Sequence, residues 1–148
     1  MKMEMHSGSC QCGDIKISIK RETLVSYICH CHECQKQSAS AFAISIPLNV
    51  SEVSITGKLN SYERPADSGA VTKCYFCSNC GTRIYHQSSK SQNCITLKGG
   101  TLNTIKNLKS VAHLWIKRKH NWIDIPENIE TYDEQPDDLT GWRNKILK

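Results

Sequence analysis

The sequence lacks the segments that mark membrane and exported proteins. It contains no run of about 18 apolar residues, so no membrane-spanning helix is predicted. The first fifteen residues, MKMEMHSGSCQCGDI, contain no apolar stretch typical of a signal peptide, and the C-terminal KILK is not a lipidation motif. We therefore expect a cytoplasmic protein that does not bind a membrane.

The sequence also shows no sign of an internal domain boundary. The 148 residues contain no repeat, no low-complexity tract and no linker rich in proline, glycine or serine. This length is typical of one domain, because domains mostly run about 100 to 200 residues. With 39% hydrophobic and 22% charged residues, the composition is that of a folded globular protein. We predict a single domain over residues 1–148.

Cysteine, in contrast, is abundant, with nine residues in a chain that has only 7% aromatic residues. Eight of them lie in three clusters with the spacings C-x-C, C-x-C-x-x-C and C-x-x-C-x-x-C, and Cys94 is isolated. In a reducing compartment such clusters are far more often metal sites than disulfides. The sequence therefore predicts thiolate metal sites, and zinc is a metal that binds such ligands.

Short alternations of apolar and polar residues predict a mostly β protein, because successive strand side chains point to opposite faces. Turn signals such as Thr56-Gly57-Lys58 separate these segments at spacings typical of antiparallel sheets. Only two helices are predicted, a short one over Glu33 to Ala41 and one over Pro136 to Leu147. The alternating apolar positions are Ile15, Ile17 and Ile19; Phe42, Ile44 and Ile46; Val53 and Ile55; Ile95 and Leu97; Leu114 and Ile116.

Two cysteine pairs are predicted to share one structural zinc site. Cys10 and Cys12 are two residues apart, so on a strand they project to the same side. A second pair must complete the four thiolates around zinc, and Cys77 and Cys80 are the best suited. In the motif C-x-x-C-G the glycine, here Gly81, takes the positive φ of a tight turn whose backbone N–H groups face the sulfurs.

Cys29, Cys31 and Cys34 form the second predicted site. Their spacing can aim three thiolates at one metal ion and leaves the fourth coordination position open. Structural zinc sites are normally filled by four protein ligands, whereas catalytic sites keep a position for water or substrate. Three thiolates make zinc a weak Lewis acid but suit it to binding a thiol as its thiolate. The pattern predicts chemistry at a substrate sulfur, and a metal that is lost more readily here than at the four-cysteine site.

The metal sites change the interpretation of the net charge, which is formally +5. Seven ligating thiolates add seven negative charges and two zinc ions add four positive ones, so the net charge falls to +2. Such mild basicity gives little support for nucleic-acid binding. The basic run Lys117 to His120 is expected to be a solvated strand end, and it could also bind ligand carboxylates. Arg64, Lys73 and Arg83 are equally good candidates for that role.

Three of these motifs resemble those of a known family, in the same order and at similar spacings. Gly8 to Gly13 (GSCQCG), Cys29 to Cys34 (CHCHEC) and Phe76 to Gly81 (FCSNCG) are similar to motifs of the glutathione-dependent formaldehyde-activating enzyme family, also called the GFA/CENP-V family. Gly100-Thr101-Leu102 and the segment His113 to Pro126 resemble its later motifs. The resemblance covers about residues 5–136, and residues 137–148 follow as a C-terminal helix.

The resemblance implies antiparallel, β-tent-like, zinc-stapled sheets with small peripheral helices. The family's activity is that of a carbon–sulfur lyase, which reversibly combines formaldehyde and glutathione into S-hydroxymethylglutathione. The chain departs from the family's usual residues at Cys74, Asn103 and Lys119 to Asn121, positions expected to affect substrate recognition. The implied ligands are Cys10, Cys12, Cys77 and Cys80 for a structural zinc and Cys29, Cys31 and Cys34 for a second, catalytic zinc.

The roles of several other residues stay open. Cys94 is a candidate fourth ligand for the three-cysteine site, although a small buried side chain is the commoner role of an isolated cysteine. Cys74 is expected to be a buried free thiol. His30 and His32 alternate with the ligands and are expected to point away from the metal, whereas His113 is expected to pack within a strand.

Two functions of different classes are compatible with this sequence. The first is a zinc-dependent carbon–sulfur lyase that acts on a thiol–aldehyde adduct, with glutathione or another small thiol as its partner. The alternative is a non-catalytic zinc-stapled binding module. An open position at Cys29, Cys31 and Cys34 favours the enzyme, whereas its closure by Cys94 or a histidine favours the module.

Overall fold

The computed structural model describes residues 5–103 and 108–148. Within these ranges the chain forms eleven strands and two α-helices. The strands are β1 (His6–Ser9), β2 (Lys16–Ile19), β3 (Val25–Cys29), β4 (Ala43–Asn49), β5 (Val53–Thr56), β6 (Leu59–Pro65), β7 (Val71–Cys77), β8 (Arg83–Ser88), β9 (Cys94–Lys98), β10 (Lys109–Leu114) and β11 (Glu130–Thr131). The helices are α1 (His32–Ser38) and α2 (Leu139–Ile146).

The strands form two sheets. One is the three-stranded sheet β1-β2-β5, and the other has the strand order β11-β10-β3-β4-β9-β8-β7-β6. The prediction of a mostly β protein with small helices is confirmed. Most neighbouring strands pair antiparallel as expected, but β10 runs parallel to both β3 and β11. The parallel pairing of β3 with β10 is possible because the long intervening chain can cross over and return in the same direction.

The main apolar core involves both sheets. Ile17 and Ile19 of the small sheet pack in one cluster with alternate residues of β4 and β9 in the large sheet. Ile95 and Leu97 of β9 belong to this cluster, so the alternation predicted there is confirmed. Because strand side chains alternate, the residues between these core positions face the other side of the large sheet.

A second, smaller apolar cluster joins α2 to β3 and β10. Trp142 of α2 contacts Tyr27 and Tyr132 edge to face, with ring centroids 5.3 and 6.0 Å away. Asp138 caps α2 by accepting the Gly141 N–H at 3.0 Å, so the helix begins later than the predicted Pro136. Within residues 5–103 and 108–148, neither α-helix combines the length and apolar composition needed to cross a membrane.

Two local elements end earlier than the sequence predicts. The helix predicted over Glu33 to Ala41 stops before Ala39, whose φ of 51° lies in the left-handed region. β10 stops at Leu114, because Trp115 has a φ of 59° and starts a 3-10 turn. The prediction that this strand continues through Ile116 is therefore wrong. Neither change could be foreseen from periodicity, since both depend on single left-handed residues.

Gly8 lies where β1 meets the turn that follows β9. It forms an isolated bridge with Leu102, and a Cβ atom at this position would lie 2.3 Å from the carbonyl oxygen of Thr101. No side chain larger than hydrogen fits without a backbone shift. The contact brings together two motifs far apart in the sequence, Gly8 to Gly13 and Gly100-Thr101-Leu102.

Replacing Gly8→Ala is expected to lower the free energy of unfolding by about 1–3 kcal/mol, because the added methyl group must push two backbones apart. Gly100→Ala is the matched control, since in residues 5–103 and 108–148 no atom beyond its chain neighbours lies within 4 Å of a Cβ built there. Urea denaturation of both variants measures the difference. Equal midpoints for Gly8→Ala and Gly100→Ala would contradict the close backbone approach.

Candidate metal centres and the cleft beside them

Cys10, Cys12, Cys77 and Cys80 form the first sulfur group. Their Sγ atoms all lie within 4.8 Å of one another, with 3.5 Å between Cys10 and Cys12 and 3.8 Å between Cys12 and Cys77. Four thiolates placed tetrahedrally, each about 2.3 Å from a zinc ion, are about 3.8 Å apart. The first group therefore has the spacing that a tetrahedral metal ion requires, and it could hold one.

Two tight turns position these sulfurs. Cys10 and Cys12 lie in the turn after β1, so the prediction that they project from a strand is wrong. The chain reverses there, and the reversal, not strand alternation, brings the two sulfurs to one side. Cys77 ends β7, and the predicted turn after it is confirmed, because Gly81 has a φ of 81°. The Cys80 N–H donates to the Cys77 sulfur at 3.4 Å.

Hydrogen bonds favour negative charge on the first group. The Ile15 N–H donates to the Cys10 sulfur at 3.2 Å, and the Thr82 hydroxyl lies 3.1 Å from the Cys80 sulfur. The Thr82 hydroxyl and N–H lower the pKa of Cys80 to about 5. Because a metal binds the thiolate and not the thiol, these contacts also favour metal binding.

Cys29, Cys31 and Cys34 form the second sulfur group, at the junction of β3 and α1. Their Sγ atoms also lie within 4.8 Å of one another. Cys29 ends β3 and Cys31 caps α1, while Cys34 lies in the first turn of the helix and donates its N–H to the Cys31 sulfur at 3.3 Å. The change from strand to helix turns three side chains toward one point.

Negative charge concentrates on Cys31 in the second group. Hydrogen bonds from the Cys29 and Cys34 thiols lower the pKa of Cys31 to about 2, and Arg64 also favours its thiolate. The same contacts raise the pKa of Cys29. Three sulfurs this close cannot all be thiolates unless a cation compensates their charge. This donor set is therefore suited to a soft metal ion.

In residues 5–103 and 108–148, no cysteine, histidine or carboxylate adds a fourth ligand atom to the second group. Cys94, the candidate from the sequence, is half-buried in the wall of an adjoining cleft. His30 is buried between two ligands and its Nε2 lies 2.9 Å from Nδ1 of His113 on β10. His32 is exposed at the start of α1. The fourth position is left to solvent or a ligand.

The second group opens into a cleft of about 870 Å³ on the face of the large sheet opposite the core. Of the residues predicted to bind carboxylates, Arg64 and the exposed Arg118 of the basic run line this cleft. Lys73 instead lies over the Tyr75 ring and Arg83 over the Phe76 ring. The aromatic residues that line the cleft are Tyr27, Tyr62 and Trp115.

Three residues at or near the cleft were not predicted from the sequence. His86 of β8 and Arg143 of α2 line it, and Lys98 of β9 is buried near Cys34. Burial, reinforced by Lys98 and Arg143, keeps the pKa of His86 well below its usual value. Burial likewise lowers the pKa of Lys98. Of these three, only Lys98 could have been found from the sequence, because it lies four residues after Cys94 and therefore on the same face of the predicted strand.

Other residues singled out in the sequence lie away from the cleft. Cys74 is 1% exposed and belongs to neither sulfur group, as expected of a buried free thiol. The Asn103 side chain donates to the Ser7 hydroxyl at 3.1 Å, so that departure from the family pattern affects the packing of β1. Within the basic run, Lys117 forms an ion pair with Glu134.

Comparison with known protein families agrees with this arrangement of sulfurs. The profile of the family described as "Glutathione-dependent formaldehyde-activating enzyme" matches residues 5–118. The chain belongs to this family. The matched range contains all seven cysteines of the two sulfur groups.

Two individual proteins are also similar to this member of the family. An uncharacterized lyase of Schizosaccharomyces pombe is 26% identical over 133 residues, which cover 88% of this chain and 92% of the yeast protein. A crystal structure of a Rhodobacter sphaeroides protein superimposes with a TM-score of 0.53 at 18% identity, covering 70% of this chain and 98% of that one. The second similarity concerns the fold alone. The family and the yeast relative together support a lyase-type enzyme.

We expect the folded protein to carry two zinc ions per chain, one for each sulfur group. Native mass spectrometry of protein purified without chelators measures this directly. A single zinc would mean that the second group is empty under those conditions. A metal-free folded protein, or disulfides within the first group, would contradict the assignment.

Cys77→Ser is expected to lose the first metal and to unfold or melt far earlier, because structural zinc binding supplies on the order of 10 kcal/mol coupled to folding. Cys74→Ser is the matched control, since Cys74 lies on the same strand and is equally buried at 1% exposure. Cys31→Ser is expected to stay folded. Zinc content and melting temperature are the measurements, and equal melting of Cys31→Ser and Cys77→Ser would mean that both sites are structural.

Proposed function

We propose that this protein is a zinc-dependent carbon–sulfur lyase that acts on an adduct of a small thiol and an aldehyde, such as S-hydroxymethylglutathione. The whole chain, residues 1–148, acts as one zinc domain. The observation that supports this most directly is a group of three sulfurs at the wall of a large cleft. The proposed ligands are Cys10, Cys12, Cys77 and Cys80 for a structural zinc, and Cys29, Cys31 and Cys34 for a catalytic zinc.

The two sulfur groups differ as structural and catalytic zinc sites differ. The first supplies four sulfurs and needs no further ligand. The second supplies three, and its three cysteines line the cleft. An open metal position facing a cleft is superfluous in a protein that only binds a partner. This contrast supports the enzyme over the non-catalytic binding module.

The reaction needs a fixed sulfur and a hydrogen-bond donor for oxygen. Cys29, Cys31 and Cys34 would hold a zinc ion, which would bind the substrate sulfur as its thiolate. In cleavage the carbon–sulfur bond breaks, its electron pair stays on sulfur, and the hydroxyl proton leaves as the carbonyl forms. In the reverse direction the thiolate adds to the carbonyl carbon and the oxygen takes up a proton.

We assign to Tyr27 the role of donating a hydrogen bond to the substrate oxygen. It lines the cleft on β3, and burial raises the pKa of its hydroxyl, which therefore stays protonated. Cys29 and Cys34 are near enough to raise its pKa further, while the positive charge of Arg143 acts in the opposite direction. A neutral hydroxyl at this position can hydrogen-bond the alkoxide that develops during the reaction.

A small thiol such as glutathione is the proposed partner, as the name of the family suggests. All nine cysteines are free, and exposed thiolate groups persist in a reducing compartment. We therefore place the protein in the cytoplasm, where such thiols are abundant. No nucleic acid or membrane is part of the proposed function.

The zinc-loaded protein is expected to accelerate exchange between formaldehyde plus glutathione and their adduct. NMR exchange spectroscopy measures the rate, first with these compounds and then with other thiols and aldehydes. Cys31→Ala removes one ligand and is expected to return the rate to that of protein-free solution. The uncatalysed exchange is already fast, so the comparison between variants carries more weight than the absolute rate.

Cys94→Ala is the matched control for this measurement. Cys94 lines the same cleft but does not belong to the sulfur group, so its variant is expected to keep the acceleration. Equal exchange rates for the wild type and Cys31→Ala, with zinc verified in the wild-type site, would contradict the lyase and favour the binding module.

A further inference from the structure

Buried polar atoms without a hydrogen-bond partner gather around the cleft. In the described residues, Nδ1 of His86 and Nε of both Arg64 and Arg143 are buried and have no such partner, and all three residues line the cleft. Nζ of Lys98 is also without one, and this lysine is 9% exposed. Buried donors are normally satisfied, so a concentration of them at one cavity indicates that a ligand completes their bonding.

These groups come from four elements that meet at one place. His86 on β8 lies opposite Thr96 of β9, and Lys98 follows two residues later on the same face of β9. Arg64 comes from β6 and Arg143 from α2. Arg64, Lys98 and Arg143 all lie close enough to His86 to oppose its protonation.

The inner side chains at this wall of the cleft carry positive charge. The acidic residues that line the cleft are exposed: Glu33, whose side chain is 51% exposed, Asp67, Asp137 and Asp138. Glu33 forms an ion pair with the half-buried Arg64, with 3.4 Å between Oε2 and Nε, and Asp138 is occupied with the cap of α2. Among the described residues, the buried Lys98 and the half-buried Arg143 have no ion-pair partner.

We propose that Arg64, His86 and Arg143 form an anion subsite that binds a carboxylate of the thiol substrate beside the three-sulfur group. This inference rests on the proposed function and names the residues that recognise the charged end of its thiol substrate. Arginine suits this role because its planar guanidinium matches the two oxygens of a carboxylate.

Tyr27 connects the subsite to the reacting sulfur. Tyr27 lines the same cleft as Arg143 and as Cys29 and Cys34 of the second sulfur group. The carboxylate and the sulfur of one small molecule can therefore occupy both places together. Arg143 lies on α2, beyond residues 5–118, the range matched by the family.

Calorimetric titration of the zinc-loaded protein with 3-mercaptopropionate and with its methyl ester tests the subsite at neutral pH. The two thiols differ in the carboxylate charge. The acid is expected to bind about 10- to 100-fold more tightly, the effect of one hydrogen bond to a charged group. This comparison uses only the wild-type protein and does not depend on a variant that folds.

Two variants then test whether Arg143 is responsible for the difference in affinity between the acid and the ester. Arg143→Met is expected to weaken binding of the acid to the level of the ester and to leave the ester unchanged. Lys145→Met is the matched control, because it removes the same charge from an exposed position of the same helix and should change neither affinity.

The possible results distinguish a failure of the anion subsite from a failure of the proposed function. Equal binding of acid and ester by the wild type would overturn the anion subsite and leave the thiol site intact. Equal weakening of both thiols in Arg143→Met would also overturn it, since the arginine would then support the fold alone. Failure of the protein to bind either thiol would overturn the proposed function and the subsite with it.

Discussion

The close approach of sulfur atoms is the constraint on which the rest of this structure depends. Four sulfurs from two turns, 65 residues apart between Cys12 and Cys77, lie within 4.8 Å of one another. Thiolates at this separation repel unless a cation lies among them, so a metal ion bound here would hold the two turns together. One turn follows β1 of the small sheet and the other ends β7 of the large sheet. The first sulfur group thus joins the small sheet to one face of the large sheet.

The opposite face of the large sheet is not covered by the small sheet, and it carries the cleft. β9 illustrates the division, because Ile95 and Leu97 lie in the core while Cys94 and Thr96 line the cleft. The pleat alone assigns alternate residues to the two sides. A strand of five residues can therefore contribute to stability and to a functional site at once, and β4 does the same with Ile46 and Ser45.

The sequence predicts the parts of the site that depend on local spacing. The C-x-x-C-G motif requires a tight turn, and Gly81 has the expected positive φ. The spacing of Cys29, Cys31 and Cys34 is short enough for any turn to bring them together. The cleft is different, because Arg143 reaches it through the packing of α2 on the large sheet, in which Trp142 contacts Tyr27. Such tertiary contacts have no counterpart in local periodicity. The parallel position of β10 likewise depends on long-range pairing.

The place of α2 in the chain has a consequence for the order of assembly during translation. Synthesis proceeds from the N-terminus, so earlier segments leave the ribosome first. Both sulfur groups are complete once Cys80 has emerged, whereas β10, which pairs with β3, and α2 follow later. A nascent chain therefore contains all seven of these cysteines before the helix that carries Arg143 can close the cleft.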